Sequence, residues 1–320
     1  MRLEDLLKEV KSIGISGHMN PDGDCVGSTL GVYNYIKTYH PDMDAHIYLE
    51  PIPNIFKFMS HSEDIEDADP LSQTVFDLFI CCDCRDSGRL GDAKVYFKNA
   101  RHTLCIDHHL GGGTFADDEY IFPEASSTCE LVTEILDMEK ITKQIAECLY
   151  TGMVHDTGVF QYTCTSSHTM NVAGMLMDKG IAYSEIIDNT FYRKTFGQNK
   201  ILGRALLNAS LHFDGRIILS YISSDDMKEF DVLPKHLDGI VSQLRVTKGV
   251  DVAVFMYQKG KSEFKVSLRA VNDVNLAEVA AKFGGGGHAK AAGFTVYEKP
   301  EASVPKILKE INLALERLDS

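Results

Sequence analysis

The first half of the chain repeats one arrangement: a short run of β-branched or aromatic residues, then a stretch of helical periodicity, with acidic residues and histidines where apolar runs end. Strand candidates lie at residues 12–17, 45–49, 76–82 and 103–106, and helix candidates at 26–39, 131–136 and 145–154. Strands alternating with helices predict a doubly wound, mainly parallel α/β sheet. From residue 211 the pattern changes, and GRIILSYIS (215–223), VDVAVFMYQ (250–258) and FKVSLRA (264–270) alternate like strands of a mixed sheet. Helices over 277–282 and 305–318 would pack on it, giving a smaller α/β C-terminal domain. A chain of 320 residues exceeds what one core usually serves, so two domains are expected. We divide it into 1–190, a polar helical connector over 191–210 that includes FYRKTFGQNK, and 211–320.

Four clusters follow apolar runs. His18, Asp22 and Asp24 come after the first strand, Asp83 closes FICC, Asp107-His108-His109 closes TLCI, and His155-Asp156 ends LYTGMV. Ligands of an open parallel sheet sit at the carboxyl ends of its strands, where this reading places three of the four clusters, the fourth ending a helix, so they can converge. Imidazoles with many carboxylates and no thiolate favour manganese, magnesium or iron over structural zinc. Two such ions about 3.5–4 Å apart, joined by a shared carboxylate, form the usual clamp for phosphoryl hydrolysis. The charges of Asp22, Asp24, Asp83 and Asp156 would balance two divalent cations, and a water shared by the ions would ionise readily.

Net charge narrows the partners. With 32 Lys plus Arg against 46 Asp plus Glu, the net charge of −14 disfavours long nucleic acid, duplex included, while short anionic substrates can still be met by local cations. No apolar run approaches the roughly 18 residues of a membrane span, and the amino-terminal segment lacks a signal-peptide core. A cytoplasmic protein with no membrane partner is therefore expected. All eight cysteines fall between Cys25 and Cys164 and are expected as reduced thiols. The Cys81-x-x-Cys84 pair, in an apolar run, is read as a buried strand end, and Cys25 and Cys82 as packing.

In their order, these motifs resemble the DHH phosphoesterase superfamily, in its branch with a DHH-associated C-terminal domain, and there the bacterial nanoRNase/pAp phosphatases. GHMNPDGDCVGS (17–28), CCDCRDSGRLG (81–91), CIDHHLGGG (105–113) and GMVHDTGVFQY (152–162) look like the family's four motifs, and GGGGHAKAAGF (284–294) like the mark of the associated domain. The resemblance implies His18, Asp22 and Asp83 on one metal, and Asp24, Asp83, His108 and Asp156 on the other, with Asp83 bridging. It implies two Mn(II) ions, a bridging hydroxide as nucleophile, His109 facing the scissile phosphate as donor or acid, and Asp107 orienting a histidine. Asp86 and Arg89 are read as structural. Gln161 departs from the basic residue that relatives often carry there.

For the substrate, the Gly284, Gly285, Gly286, Gly287 run and His288 would admit a phosphate at a helix start, with Arg269 matching its oxygens. Lys290 and Asn275 are weaker candidates, read as solvated or capping. The resemblance places this domain across an interdomain cleft from the metals, so that cleft width selects oligoribonucleotides of a few nucleotides, cut to mononucleotides, or pAp, which loses its 3′-phosphate. A cyclic-di-AMP or pApA phosphodiesterase is the alternative, a catalytically weak nucleotide sensor comes behind it, and a manganese pyrophosphatase is disfavoured by the GGGGH loop. A homodimer stays open.

Overall fold

The computed structural model describes residues 1–109, 111 and 113–319, so Leu110 and Gly112 of the third motif lie outside the described residues. The chain forms two compact units, Met1–Arg193 and Lys194–Ser320. The first carries β1 (Ser12–Ser16), β2 (Asp44–Tyr48), β3 (Ile65–Glu66), β4 (Leu78–Cys82), β5 (Thr103–Asp107) and β6 (Asp118–Ile121). Its helices are α1 (Leu3–Leu6), α2 (Gly23–Tyr39), α3 (Lys94–Asn99), α4 (Thr128–Ile135), α5 (Lys143–Asp156), α6 (Ser167–Met177) and α7 (Tyr183–Ile187).

The strands form one all-parallel sheet in the order β3-β2-β1-β4-β5-β6. Strand β4 is buried at every residue, as a central parallel strand covered on both faces must be. Its alternate residues serve two cores. Leu78, Ile80 and Cys82 join the helices α2, α4 and α5, whereas Phe79 and Cys81 join an aromatic layer with Tyr48, Phe76, Tyr96 and Phe97. The expected strand over 76–82 begins at Leu78, and just before it the Asp77 carboxylate accepts the Lys11 and Ser12 amides at 3.0 and 3.1 Å.

The second unit adds α8 (Phe196–Leu207), β7 (Ser210–His212), β8 (Ile217–Ile222), α9 (Ser224–Glu229), α10 (Ile240–Arg245), β9 (Val252–Gly260) and β10 (Glu263–Ala270). It ends with α11 (Leu276–Ala281), β11 (Gly286–His288), β12 (Ala291–Val296) and α12 (Pro300–Asp319). The sheet order is β11-β12-β10-β9-β8-β7, mixed because β8 and β9 run parallel and the other pairs antiparallel. The segment expected as a connector, 191–210, contains α8, whose buried Ile201 and Ala205 pack with Ile218, Ile240 and Phe255 of this unit. The glycine run does not open a helix. Gly286, Gly287 and His288 pair with Gly293, Ala292 and Ala291 in a hairpin, because the small residues on both strands let the backbones close a ladder.

Candidate metal centre

The four clusters converge at the carboxyl ends of β1, β4 and β5, beside the end of α5. His18 follows β1 and gives its Nδ1 proton to the Met19 carbonyl oxygen at 2.9 Å, which leaves Nε2 as the ligating nitrogen. That Nε2 lies 3.2 Å from Asp83 Oδ2 and 3.7 Å from Asp22 Oδ1. Asp22 caps α2, accepting the Asp24 and Cys25 amides at 3.1 Å each. His108 repeats the device: Nδ1 donates to the Ala125 carbonyl oxygen at 3.3 Å, and Nε2 stands 3.0 Å from Asp156 Oδ2, 3.8 Å from Asp83 Oδ1 and 3.9 Å from Asp24 Oδ2. One Asp83 oxygen thus faces each imidazole group. Asp83 holds a left-handed backbone, φ 57°, a strained conformation of the kind that clusters at functional sites.

Asp24 is fully buried in the first turn of α2, and its two oxygens accept the Thr128 and Cys129 amides at 2.6 and 2.9 Å. The Thr128 hydroxyl donates to Asp83 Oδ1 at 3.2 Å. Sequence reasoning missed Thr128. Its only signal was the Ser-Ser-Thr run before an apolar stretch, which reads as an ordinary helix cap. His109, half exposed, gives both its main-chain N–H and its Nδ1–H to Asp107 Oδ1 at 2.7 Å, and Nδ1 lies 3.4 Å from Asp83 Oδ1. Asp107 is fully buried, and its Oδ2 has no hydrogen-bond partner among the described residues.

Possible ligand atoms of Asp24, His108 and Asp156 lie within 4.8 Å of one another, as do those of Asp83, His108 and His109, and of His18, Cys25 and Asp83. Asp22 is absent from these groups; among the other expected ligand side chains it is paired with His18, at 3.7 Å. Cys25 is packing by chemistry as well as by place, since burial holds its thiol far above the usual range, in the protonated form. Burial, then the charges of Asp83 and Asp156, push Asp24 well up. Burial also raises Asp83, against the pull of the His18 hydrogen bond. Although burial opposes it, the bonds to Asp22 and Asp83 bring His18 up to about 10, and the bond to Asp156 does the same for His108. Desolvated carboxylates crowded against two raised imidazoles make a donor set suited to divalent cations, which would take the place of the imidazolium protons.

Around the centre, Asp86 Oδ1 accepts the Gly88 amide at 2.7 Å and the Arg89 carbonyl accepts the Met19 amide at 2.7 Å, so both residues brace the loop beside His18. Gln161 is exposed, on a tight turn in which Gly158, Val159 and Phe160 all have φ between 56° and 62°. Arg269, Ala291 and His288 share one rung of the second sheet across β10, β12 and β11. Cross-strand partners point to one face, so Arg269 and His288 stand about 10 Å apart on it. Asn275 caps α11 through the Glu278 amide, and Lys290 pairs with Asp273 at 2.8 Å.

The DHH family, N-terminal domain, matches residues 12–153, and the DHHA1 domain matches residues 214–317. The bifunctional oligoribonuclease and PAP phosphatase NrnA of Thermus thermophilus is 29% identical over 301 residues, covering 92% of this chain and 88% of its own. The enzyme of the same name from Bacillus subtilis is 26% identical over 290 residues, covering 89% of each. Among solved structures, an exopolyphosphatase-related protein from Bacteroides fragilis superposes with a TM-score of 0.86 at 27% identity, covering 98% of this chain and 94% of that one.

Proposed function

This chain belongs to the DHH family and carries a DHHA1 domain, and from that premise we propose that it is a two-metal phosphoesterase acting on short oligoribonucleotides and on pAp. The observation that carries the reading is the divided Asp83 carboxylate, with Oδ2 3.2 Å from His18 and Oδ1 3.8 Å from His108. A bridging ligand between two cations needs that division. In this reading His18, Asp22 and Asp83 hold one cation, and Asp24, Asp83, His108 and Asp156 the other, with Mn(II) the expected ion. When bound, the pair supplies an acidified water and offsets charge on the phosphate.

The chain's own residues do the rest. Asp107 commits His109 Nδ1, so Nε2 is the ring nitrogen that passes a proton to the departing oxygen. The same hydrogen bond raises the affinity of His109 for that proton. In the second unit, Arg269 and His288 offer two donors on one face of the sheet for the substrate's other phosphate. The names of the Thermus and Bacillus relatives support this choice of substrates.

The test is product release by the Mn(II)-loaded protein from pAp, a diribonucleotide, pApA, cyclic di-AMP, pyrophosphate and a long single-stranded RNA, with Asp83→Ala as control. Turnover of pAp and the diribonucleotide, abolished in the control, is expected. Preference for cyclic di-AMP or pApA would move the protein to a signalling role with the same ligands. Silence on all six substrates with metal bound would overturn the enzymatic reading.

A further inference from the structure

We propose that Thr128 is a positioning residue that fixes two of the three carboxylates, Asp24 and Asp83, on the His108 side of the centre, an inference that rests on the two-cation reading above. Its main-chain N–H holds Asp24 Oδ2 at 2.6 Å, and its side-chain hydroxyl holds Asp83 Oδ1 at 3.2 Å. Thr128 is fully buried, and its branched Cβ narrows the rotamers that the hydroxyl can use.

Several other threonines within helices or at their ends sharpen the point. Thr29, Thr133, Thr151 and Thr157 each give the hydroxyl proton to a carbonyl one turn back, at 2.6 to 2.8 Å. That is the ordinary outlet for threonine in a helix. Thr128 is the first residue of α4 and has no helical carbonyl behind it. Capping is already done by Ser127, whose hydroxyl accepts the Glu130 amide at 3.1 Å. The Thr128 proton is therefore committed to Asp83.

The consequence for the carboxylate is directional. An ionised aspartate only accepts, and each oxygen has two lone pairs. The Asp83 side-chain torsion has broad, roughly two-fold minima, so the group needs partners to stop it turning. His18 fixes Oδ2 and Thr128 occupies one lone pair of Oδ1, which leaves the other for the His108 side, since the His109 Nδ1 proton, 3.4 Å away, is given to Asp107. Loss of the hydroxyl frees Oδ1 and leaves Oδ2 on His18. The weakening then falls on the cation held by Asp24, His108 and Asp156 rather than on the one held by His18 and Asp22.

The experiment is Mn(II) titration of the full chain, read by calorimetry and by the electron paramagnetic resonance of unbound Mn(II). It compares wild type, Thr128→Val, Thr128→Ala and Thr128→Ser, with folding checked by circular dichroism in chelator. We expect two sites in wild type and, in the Val and Ala variants, one site near wild-type affinity and one weakened by about ten- to a hundredfold, with Ser restoring it. Should Val prove unable to fold, Ala removes the same hydroxyl without adding a methyl group beside the carboxylates. Unchanged affinities in Val and Ala, equal weakening of both sites, or a Ser variant as weak as Val would each overturn the role of Thr128. Two intact wild-type sites with any of those results leave the cation reading standing. A wild-type protein that binds no Mn(II) would bring down that reading, and this inference with it.

Discussion

Gly152 on α5 faces Asp24 so closely that a methyl group in its place would stand 2.9 Å from Asp24 Oδ1 and 2.2 Å from Cys129 Sγ. Helices α2, α4 and α5 meet at this point, and only a hydrogen side chain lets them close around the buried carboxylate. Gly152→Ala must push α4 outward and pull the Cys129 amide from Asp24, at a cost of about 1–3 kcal/mol. Urea unfolding of the metal-free protein should show that loss. Mn(II) affinity should fall as well. A variant of unchanged stability would mean that these helices have slack the geometry does not show.

The pH dependence of the metal-free protein has a definite sign. His18 and His108 titrate at about 10 when folded, against an ordinary 6.5. Their contribution to stability is complete below pH 6.5 and is lost as pH rises toward 10. Raised Asp24 and Asp83 act in the same sense, since the folded state holds their protons more tightly than the unfolded chain does. Melting temperature in chelator should therefore fall between pH 6.5 and 9. Saturating Mn(II) replaces those protons, so the stabilisation it gives should grow over the same range. A metal-induced shift that shrinks with rising pH would contradict the assigned ligands.

What was legible in the sequence follows a physical line. Strand β4 could be read because burial on both faces demands an unbroken apolar run, and the acidic and histidine clusters because strand ends gather in a parallel sheet. The edge strand β6, Asp-Glu-Tyr-Ile, is half-buried along its length and carries no such run. Helix α6 was not read either, although Ser166 and Thr169 build a capping box at its start. Thr128 was out of reach for another reason. It is 104 residues from Asp24 and 45 from Asp83 in sequence, so its work exists only once α4 has folded back onto α2 and β4. The glycine run misled because glycines before a small-residue segment suit a helix start and a tight hairpin equally, and pairing with Ala291–Val296 decides between them.

In that hairpin some glycines are required by the backbone and others are not. Gly287 has φ 143°, and an added Cβ would stand 2.5 Å from the Ala291 carbonyl oxygen, whereas none of the described residues lies within 4 Å of one added at Gly286. Gly287→Ala should destabilise the second unit by about 1–3 kcal/mol, seen as a lower melting temperature. Gly286→Ala should melt as wild type does. If the exposed segment receives a substrate phosphate, Gly286→Ala should nevertheless raise KM for pAp several-fold. Wild-type KM together with wild-type stability would remove Gly286 from the substrate site.

Arg269 tests the division of labour between the units. It shares a rung with His288 and belongs to a strand of the second sheet, whereas the proposed metal ligands all belong to the first unit. A charged hydrogen bond to phosphate is worth about 1.5–3 kcal/mol, so Arg269→Ala should raise KM for pAp and the diribonucleotide by about ten- to a hundredfold. Hydrolysis of bis(p-nitrophenyl) phosphate, which has no second phosphate to hold, should stay near wild type. Arg269→Lys should recover only part of the loss, because an ammonium cannot reproduce the planar two-donor fork. Equal losses on the nucleotide and the small diester would instead make Arg269 a support of the second sheet, because uniform damage is the signature of altered structure rather than lost recognition.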